Sequence, residues 1–133
     1  MALFNPAVVL AQVGDRAFLR PDSLKRLQER MGVAPIAISP YHHVKSDAPP
    51  TIVFHGQGDT TVPYWTAEEF AAAMKRAGNR CELVGYEEQP HGFFNYGRAE
   101  NKYFVATLGE LDAFLTSLGY LQGEPTIERF GVR

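Results

Sequence analysis

The stretch TIVFHGQGDTTVP, Thr51 to Pro63, decides how this chain is read. Ile52 to Phe54 is an unbroken β-type run ahead of His55-Gly56, the pattern of a strand buried on both faces. The run opens into a loop that presents Asp59. A second stretch, QPHGFFN from Gln89 to Asn95, presents His91 in the same manner.

The segment between them fits one supersecondary unit. Thr66 to Ala77, TAEEFAAAMKRA, predicts a helix. Thr66 and Glu69 have capping-box spacing, Phe70 and Met74 stack one turn apart, and Gly78 follows as a stop. Arg80 to Tyr86, RCELVGY, predicts the next strand. Further out, Glu100 to Leu118 carries Phe104, Leu108, Leu111, Leu115 and Leu118 at steps of three and four, so a long amphipathic helix ending at Gly119 is expected. Upstream, Ala2 to Leu10 is apolar and β-branched toward its end. It predicts a buried strand, with Pro6 marking a bend or its end. Pro21 to Met31 places Leu24, Leu27 and Met31 on one face, with Asp22 or Ser23 as cap and Gly32 as stop, and predicts a helix. Val33 to Pro50, rich in proline and polar residues, is expected to be a surface connection.

The order is strand, helix, strand, helix, strand, helix. Such alternation implies an α/β fold, about three parallel strands with flanking helices and right-handed crossovers. Ligands of such sheets lie beyond the carboxyl ends of the strands. Asp59 and His91 follow successive strand ends, so both are expected at one rim. Imidazole suits general-base work near neutral pH, and a carboxylate that accepts its Nδ1–H fixes the tautomer and stabilises the imidazolium. Asp59 and His91 are therefore the candidate catalytic residues. Gly56 and Gly58 allow a tight loop path, Pro63 can stiffen the loop, and Phe93 and Phe94 can exclude water or fill core.

PPTIVFHGQGDTTVP together with EEQPHGFFN resembles the C-terminal part of the α/β-hydrolase superfamily, in its acetyl-esterase, carboxylesterase and prolyl-oligopeptidase-like branch. The opening ALFNPAVVL and SPYHHV, Ser39 to Val44, resemble segments upstream of the acid in that family. The resemblance runs from Ala2 to about Leu118. It implies that Asp59 stands at the triad-acid position and His91 at the triad-histidine position, with a chemistry of acyl transfer to water and no cofactor. It also implies a serine on a G-x-S-x-G elbow ahead of the acid. The serines here are Ser23, Ser39, Ser46 and Ser117, and none lies in such a motif. The H-G-G-type oxyanion segment is absent as well. The expectation is a C-terminal half-domain over residues 1–119 with an irregular tail over 120–133, catalytically weak or inactive as an isolated chain. The alternative is a small binding or assembly domain derived from the same fold.

Composition narrows the partners. The 133 residues carry a formal net charge of −2 with scattered Lys and Arg, which gives no footprint for nucleic acid or an anionic membrane. No stretch approaches the roughly 20 apolar residues of a membrane span, and the N-terminus lacks the basic flank of a signal peptide. The single cysteine, Cys81, excludes an intramolecular disulfide, is compatible with the cytoplasm, and reads as a buried inert thiol. His55 reads as a structural strand-end histidine, and His42 and His43 as loop hydrogen-bonders. No metal-ligand spacing such as H-x-x-x-H occurs, so no metal is expected. A small-molecule ester or peptide is the expected substrate if the chain is active. The apolar Ala2–Leu10 edge strand invites pairing with a second copy, so a homo-oligomer is expected.

Overall fold

The computed structural model describes residues 1–127. Three strands form one parallel sheet in the order β1-β2-β3, with β1 at Ala2–Phe4, β2 at Thr51–Gly56 and β3 at Cys81–Tyr86. Helix α1 spans Pro21–Met31, α2 Tyr64–Arg76 and α3 Lys102–Ser117. The connection after α1 holds two short 3-10 turns, Pro35–Ile38 and Pro40–His43, each begun by a proline that needs no amide partner. The α/β architecture with parallel strands and flanking helices is as the sequence implies.

Strand β2 is central and buried along its whole length. Its side chains alternate between two cores, as the period of two requires. Val53 joins Val8, Val9, Ala67, Phe70, Ala71, Met74 and Cys81 beneath α2. Ile52 and Phe54 join Phe114 beneath α3, with Phe4, Val84, Tyr86, Leu111 and Leu115 packed around them. Each fully buried Val, Ile or Phe contributes roughly 1.5–3 kcal/mol relative to exposure. A strand clamped on both faces cannot slip, so the loops at its carboxyl end are held firmly.

Several local expectations are corrected. The first strand stops at Phe4, not Leu10, because Asn5 adopts a left-handed φ of 43° ahead of Pro6. Val8 and Val9 are nevertheless buried, as irregular chain under α2. Helix α1 has the expected bounds, but Arg20 occupies its cap position without a side-chain bond, and no residue of the helix is fully buried. Thr66 does not cap α2. Pro63 holds that position, and the Thr66 hydroxyl donates to the Pro63 carbonyl at 2.8 Å. The far end of α2 closes as expected: the Gly78 amide donates to Lys75 O and the Asn79 amide to Met74 O, with φ of 82° at Gly78. Helix α3 begins at Lys102 rather than Glu100 because Ala99, Glu100 and Asn101 all have positive φ, which L-residues cannot propagate as right-handed helix. Beyond Gly119 the chain to Ile127 contains no helix or strand, and the rest of the expected 120–133 tail lies outside the described residues. Among the described residues no helix is long and apolar enough to cross a membrane.

Candidate active site

The carboxyl end of β2 runs into the Asp59 loop, and the carboxyl end of β3 runs into the His91 loop. Their backbones touch. The Gly58 amide donates to Gln89 O at 3.1 Å, and the Gln57 amide donates to Tyr86 O at 2.9 Å. Glycine is required here for space rather than for unusual φ, which refines the sequence reading. A Cβ on Gly56 would stand 2.1 Å from Gln89 O, and one on Gly58 would stand 2.8 Å from Glu88 O. At Gly92 the reason is the backbone: φ is 70°, and a Cβ would meet only the movable end of the Asn95 side chain.

His91 Nδ1 lies 2.8 Å from Asp59 Oδ2. An ionised carboxylate can only accept, so Nδ1 carries the proton and Nε2 presents its lone pair. The Asp59 side chain is fully buried, while that of His91 is 42% exposed, so the pair is anchored at the acid and open at the base. Asp59 Oδ1 accepts the amides of Thr61 and Val62, both at 2.8 Å. Burial is the largest influence on Asp59 and pushes its pKa up. The Val62 amide, His91 and the Thr61 amide together outweigh it, and the carboxyl titrates below its ordinary value. The His91 carbonyl also accepts from Arg98 Nη1 at 3.3 Å, which ties down the far side of the loop.

Asn5 carries no signal of a site role in the sequence. Its Nδ2 donates to Asp59 Oδ2 at 2.9 Å and lies 3.4 Å from His91 Nδ1. A lone Asn before Pro reads as a turn, and only the register pairing Phe4 with Phe54 brings it to the rim.

His55 sits on the other side of the acid, with Nε2 3.4 Å from Asp59 Oδ2. It is not an ion-pair partner. Desolvation dominates and lowers its pKa despite the Val62 carbonyl and the Asp59 charge, so the ring is neutral. Its Nε2–H donates to Val62 O at 2.8 Å, and Nδ1 is buried with no partner among the described residues. His42 and His43 make loop bonds: His42 accepts from Ser39 Oγ at 2.8 Å and donates to Gln12 O at 3.1 Å, and His43 donates to Ile36 O at 2.9 Å. Burial raises the Cys81 thiol pKa above its ordinary value. Among the described residues no group of three His, Cys, Asp or Glu side chains is arranged to hold a metal.

Beside the pair, Phe93 is buried against Tyr86 and Tyr103, whereas Phe94 turns into an apolar pocket of about 300 Å³ shared with Phe4, Tyr96, Phe104 and Leu108. The sequence alone does not separate these two roles. Among the described residues His91 Nε2 has no hydrogen-bond partner. Ser39 is fully buried and engaged by the Leu10 amide and His42, and Ser117 donates to Phe114 O.

Known proteins supply the family. The prolyl oligopeptidase family profile matches residues 23–116. Esterase 2 of Thermogutta terrifontis, solved with propionate bound, is 49% identical with a TM-score of 0.82, covering 93% of this chain and 44% of that one. The same esterase phosphonylated by sarin gives a TM-score of 0.86 at 48% identity, covering 92% of this chain and 45% of that one. Esterase LipQ of Mycobacterium tuberculosis is 42% identical over 55 residues, which span 41% of this chain and 13% of LipQ. This chain thus spans under half the length of the solved esterase and a smaller share of the curated relative. The profile match over most of the chain and the esterase-type relatives place it among the α/β-hydrolases, as a member of the prolyl oligopeptidase family.

Proposed function

We propose that this chain supplies the acid and the imidazole of a serine-esterase-type site that hydrolyses carboxylic esters with short acyl groups. The observation that carries this reading is the 2.8 Å bond between buried Asp59 and half-open His91. In this reading His91 Nε2 takes the proton of a serine hydroxyl as it attacks the ester carbonyl, then returns it to the leaving alcohol. Asp59 holds the tautomer and stabilises the imidazolium between those steps. None of Ser23, Ser39, Ser46 and Ser117 hydrogen-bonds His91, so the proposal assigns the nucleophile and the oxyanion donors to a polypeptide segment other than these 133 residues. The acyl size follows the relatives: Thermogutta terrifontis esterase 2 has been solved with propionate and with butyrate bound. The chain alone is then weak or inactive.

Complementation tests this. The chain is co-expressed with the portion of the Thermogutta terrifontis esterase 2 that it does not match, and hydrolysis of p-nitrophenyl propionate and butyrate is measured. The expected result is turnover by the mixture, none by either piece, and its loss in Asp59→Asn and His91→Ala. A mixture that assembles and stays inert overturns the reading, and saturable ester binding without turnover favours a non-catalytic binding domain instead. A second element of the proposal, self-association, is favoured by the open edge of β1, where no strand pairs on the side away from β2 among the described residues.

A further inference from the structure

We propose that Asn5 is a positioning residue for the Asp59–His91 pair: its amide fixes the carboxylate rotation that aims Oδ2 at the imidazole. This inference rests on the reading of Asp59 and His91 as the acid and base of an esterase-type site.

Three observations converge on Asn5. Its carboxamide donates to the same oxygen, Asp59 Oδ2, that accepts from His91, at 2.9 Å against 2.8 Å. Oδ1 is already held by two backbone amides, so the Asn5 bond supplies the fourth donor and completes the cradle. Without it, Oδ2 is fixed only by the solvent-facing imidazole.

The second observation is the backbone. Asn5 has φ of 43° directly before Pro6, where a residue is normally driven to extended conformations. Asn tolerates the left-handed region better than most residues, which accounts for the residue type. The Asn5 amide nitrogen still donates to Phe54 O at 2.8 Å, so the left-handed turn is locked onto the end of β2, the strand that launches Asp59. The third is the other end of the side chain. Asn5 is 5% exposed, and its Oδ1 has no partner among the described residues. A buried amide with one end unpaired is unfavourable for folding. Its donor end therefore explains its place better than stability does.

The charged and titratable groups that face His91 are Asp59 and His55 from the β2 side and Arg98 from its own loop. Asn5 adds no charge, but its positive amide end stands 3.4 Å from Nδ1 and opposes the imidazolium. Replacing it frees Asp59 Oδ2 to rotate off the imidazole and loosens the bond that fixes the His91 tautomer, which a purely structural residue does not do.

The test is nuclear magnetic resonance of the His91 ring tautomer and its Nδ1 proton in the full chain, with no catalysis needed, so its failure is distinct from failure of complementation. In the unmodified chain a single Nδ1–H tautomer with a downfield Nδ1 proton is expected. Asn5→Gly keeps the left-handed backbone and removes the donor, and should broaden or abolish the Nδ1 proton signal. Asn5→Asp keeps the size but replaces the donor with an acceptor that repels the Asp59 carboxylate, and should broaden or shift the Nδ1 proton signal as Oδ2 turns away from the ring. If Asn5→Gly does not fold, Asn5→Asp carries the test. A lower melting temperature with the His91 tautomer and Nδ1 proton signal unchanged in a folded variant overturns the proposal.

Discussion

His91 Nδ1 and Asp59 Oδ2 are 2.8 Å apart although 32 residues separate them in the chain. The bond spans two loops that leave adjacent parallel strands at the same end, and the two loops also share backbone bonds through Gln57 and Gly58. The acid is therefore not merely near the base. It is held by two amides so that only one of its oxygens is offered.

Asp59→Asn tests that arrangement. The Asn oxygen will keep the Thr61 and Val62 amides, which leaves its NH2 group facing His91 Nδ1. Nδ1 must then accept, and the ring switches to the Nε2–H tautomer, which cannot take a proton from a hydroxyl. Loss of the charge-assisted bonds should also cost about 1–3 kcal/mol of stability. Long-range nitrogen–proton spectra read the tautomer directly. In a complemented enzyme turnover should fall on the order of 10⁴-fold, as for a triad whose base is held in the wrong tautomer. An unchanged tautomer contradicts the cradle as described.

Two glycines make opposite predictions. Gly56→Ala places a methyl 2.1 Å from the Gln89 carbonyl, which neither loop can yield without separating. Destabilisation of about 1–3 kcal/mol or more is expected, with loss of the Nδ1 proton signal as the loops part. Gly109 lies inside α3 with nothing within 4 Å of the place a methyl group would take. Gly109→Ala should stabilise the chain by roughly 0.5–1 kcal/mol through helix propensity. Urea denaturation of both variants checks the pair, and equal effects of the same sign contradict it.

What the sequence discloses follows from the range of each interaction. The alternation of strands and helices and the two histidine- and aspartate-bearing loops are legible because local pattern alone fixes them: Ile52-Val53-Phe54 reads as a doubly covered strand whatever its neighbours. Asn5 is not legible, because its role depends on the register of β1 against β2, which no local pattern encodes. The same holds for Thr66, whose spacing to Glu69 suggests a cap, whereas Pro63 takes that place in the folded chain. The stripe Leu24, Leu27 and Met31 announces a helix correctly but not what would cover it, and Met31 is 52% exposed.

His55 makes stability depend on pH. Its folded pKa is lowered, chiefly by burial. Below about pH 6.5 the unfolded chain takes up a proton at this ring while the folded chain does not, so stability falls as pH drops through that window. Asp59, also lowered in the fold, adds a loss of the same sign below about pH 4. His55→Gln keeps a donor for the Val62 carbonyl and does not titrate. It should be less stable than the unmodified chain at pH 7.5 and lose less stability on going to pH 5.5. Chemical denaturation at the two pH values measures this, and equal slopes in the two proteins count against a neutral buried His55.

The open edge of β1 predicts self-association, and its backbone says how to block it. The Ile52 amide donates to Met1 O and the Asn5 amide to Phe54 O, so the backbone groups of alternate residues face β2. Those of Ala2 and Phe4 consequently point the other way. Ala2→Pro removes an outward donor without touching the ladder to β2, a change that edge strands tolerate. A three-residue strand is too short to hold a dimer by pairing alone, since a stable interface needs about 1,000 Å² or more. The apolar surface beside it, Phe4, Phe94, Tyr96 and Phe104, must be covered too. Tyr96 is 61% exposed there, so Tyr96→Glu should weaken association as Ala2→Pro does, with the fold intact by circular dichroism. Sedimentation at micromolar concentration decides the matter: a dimer or larger species that both substitutions dissociate supports pairing through this edge, and a clean monomer in the unmodified chain rules it out.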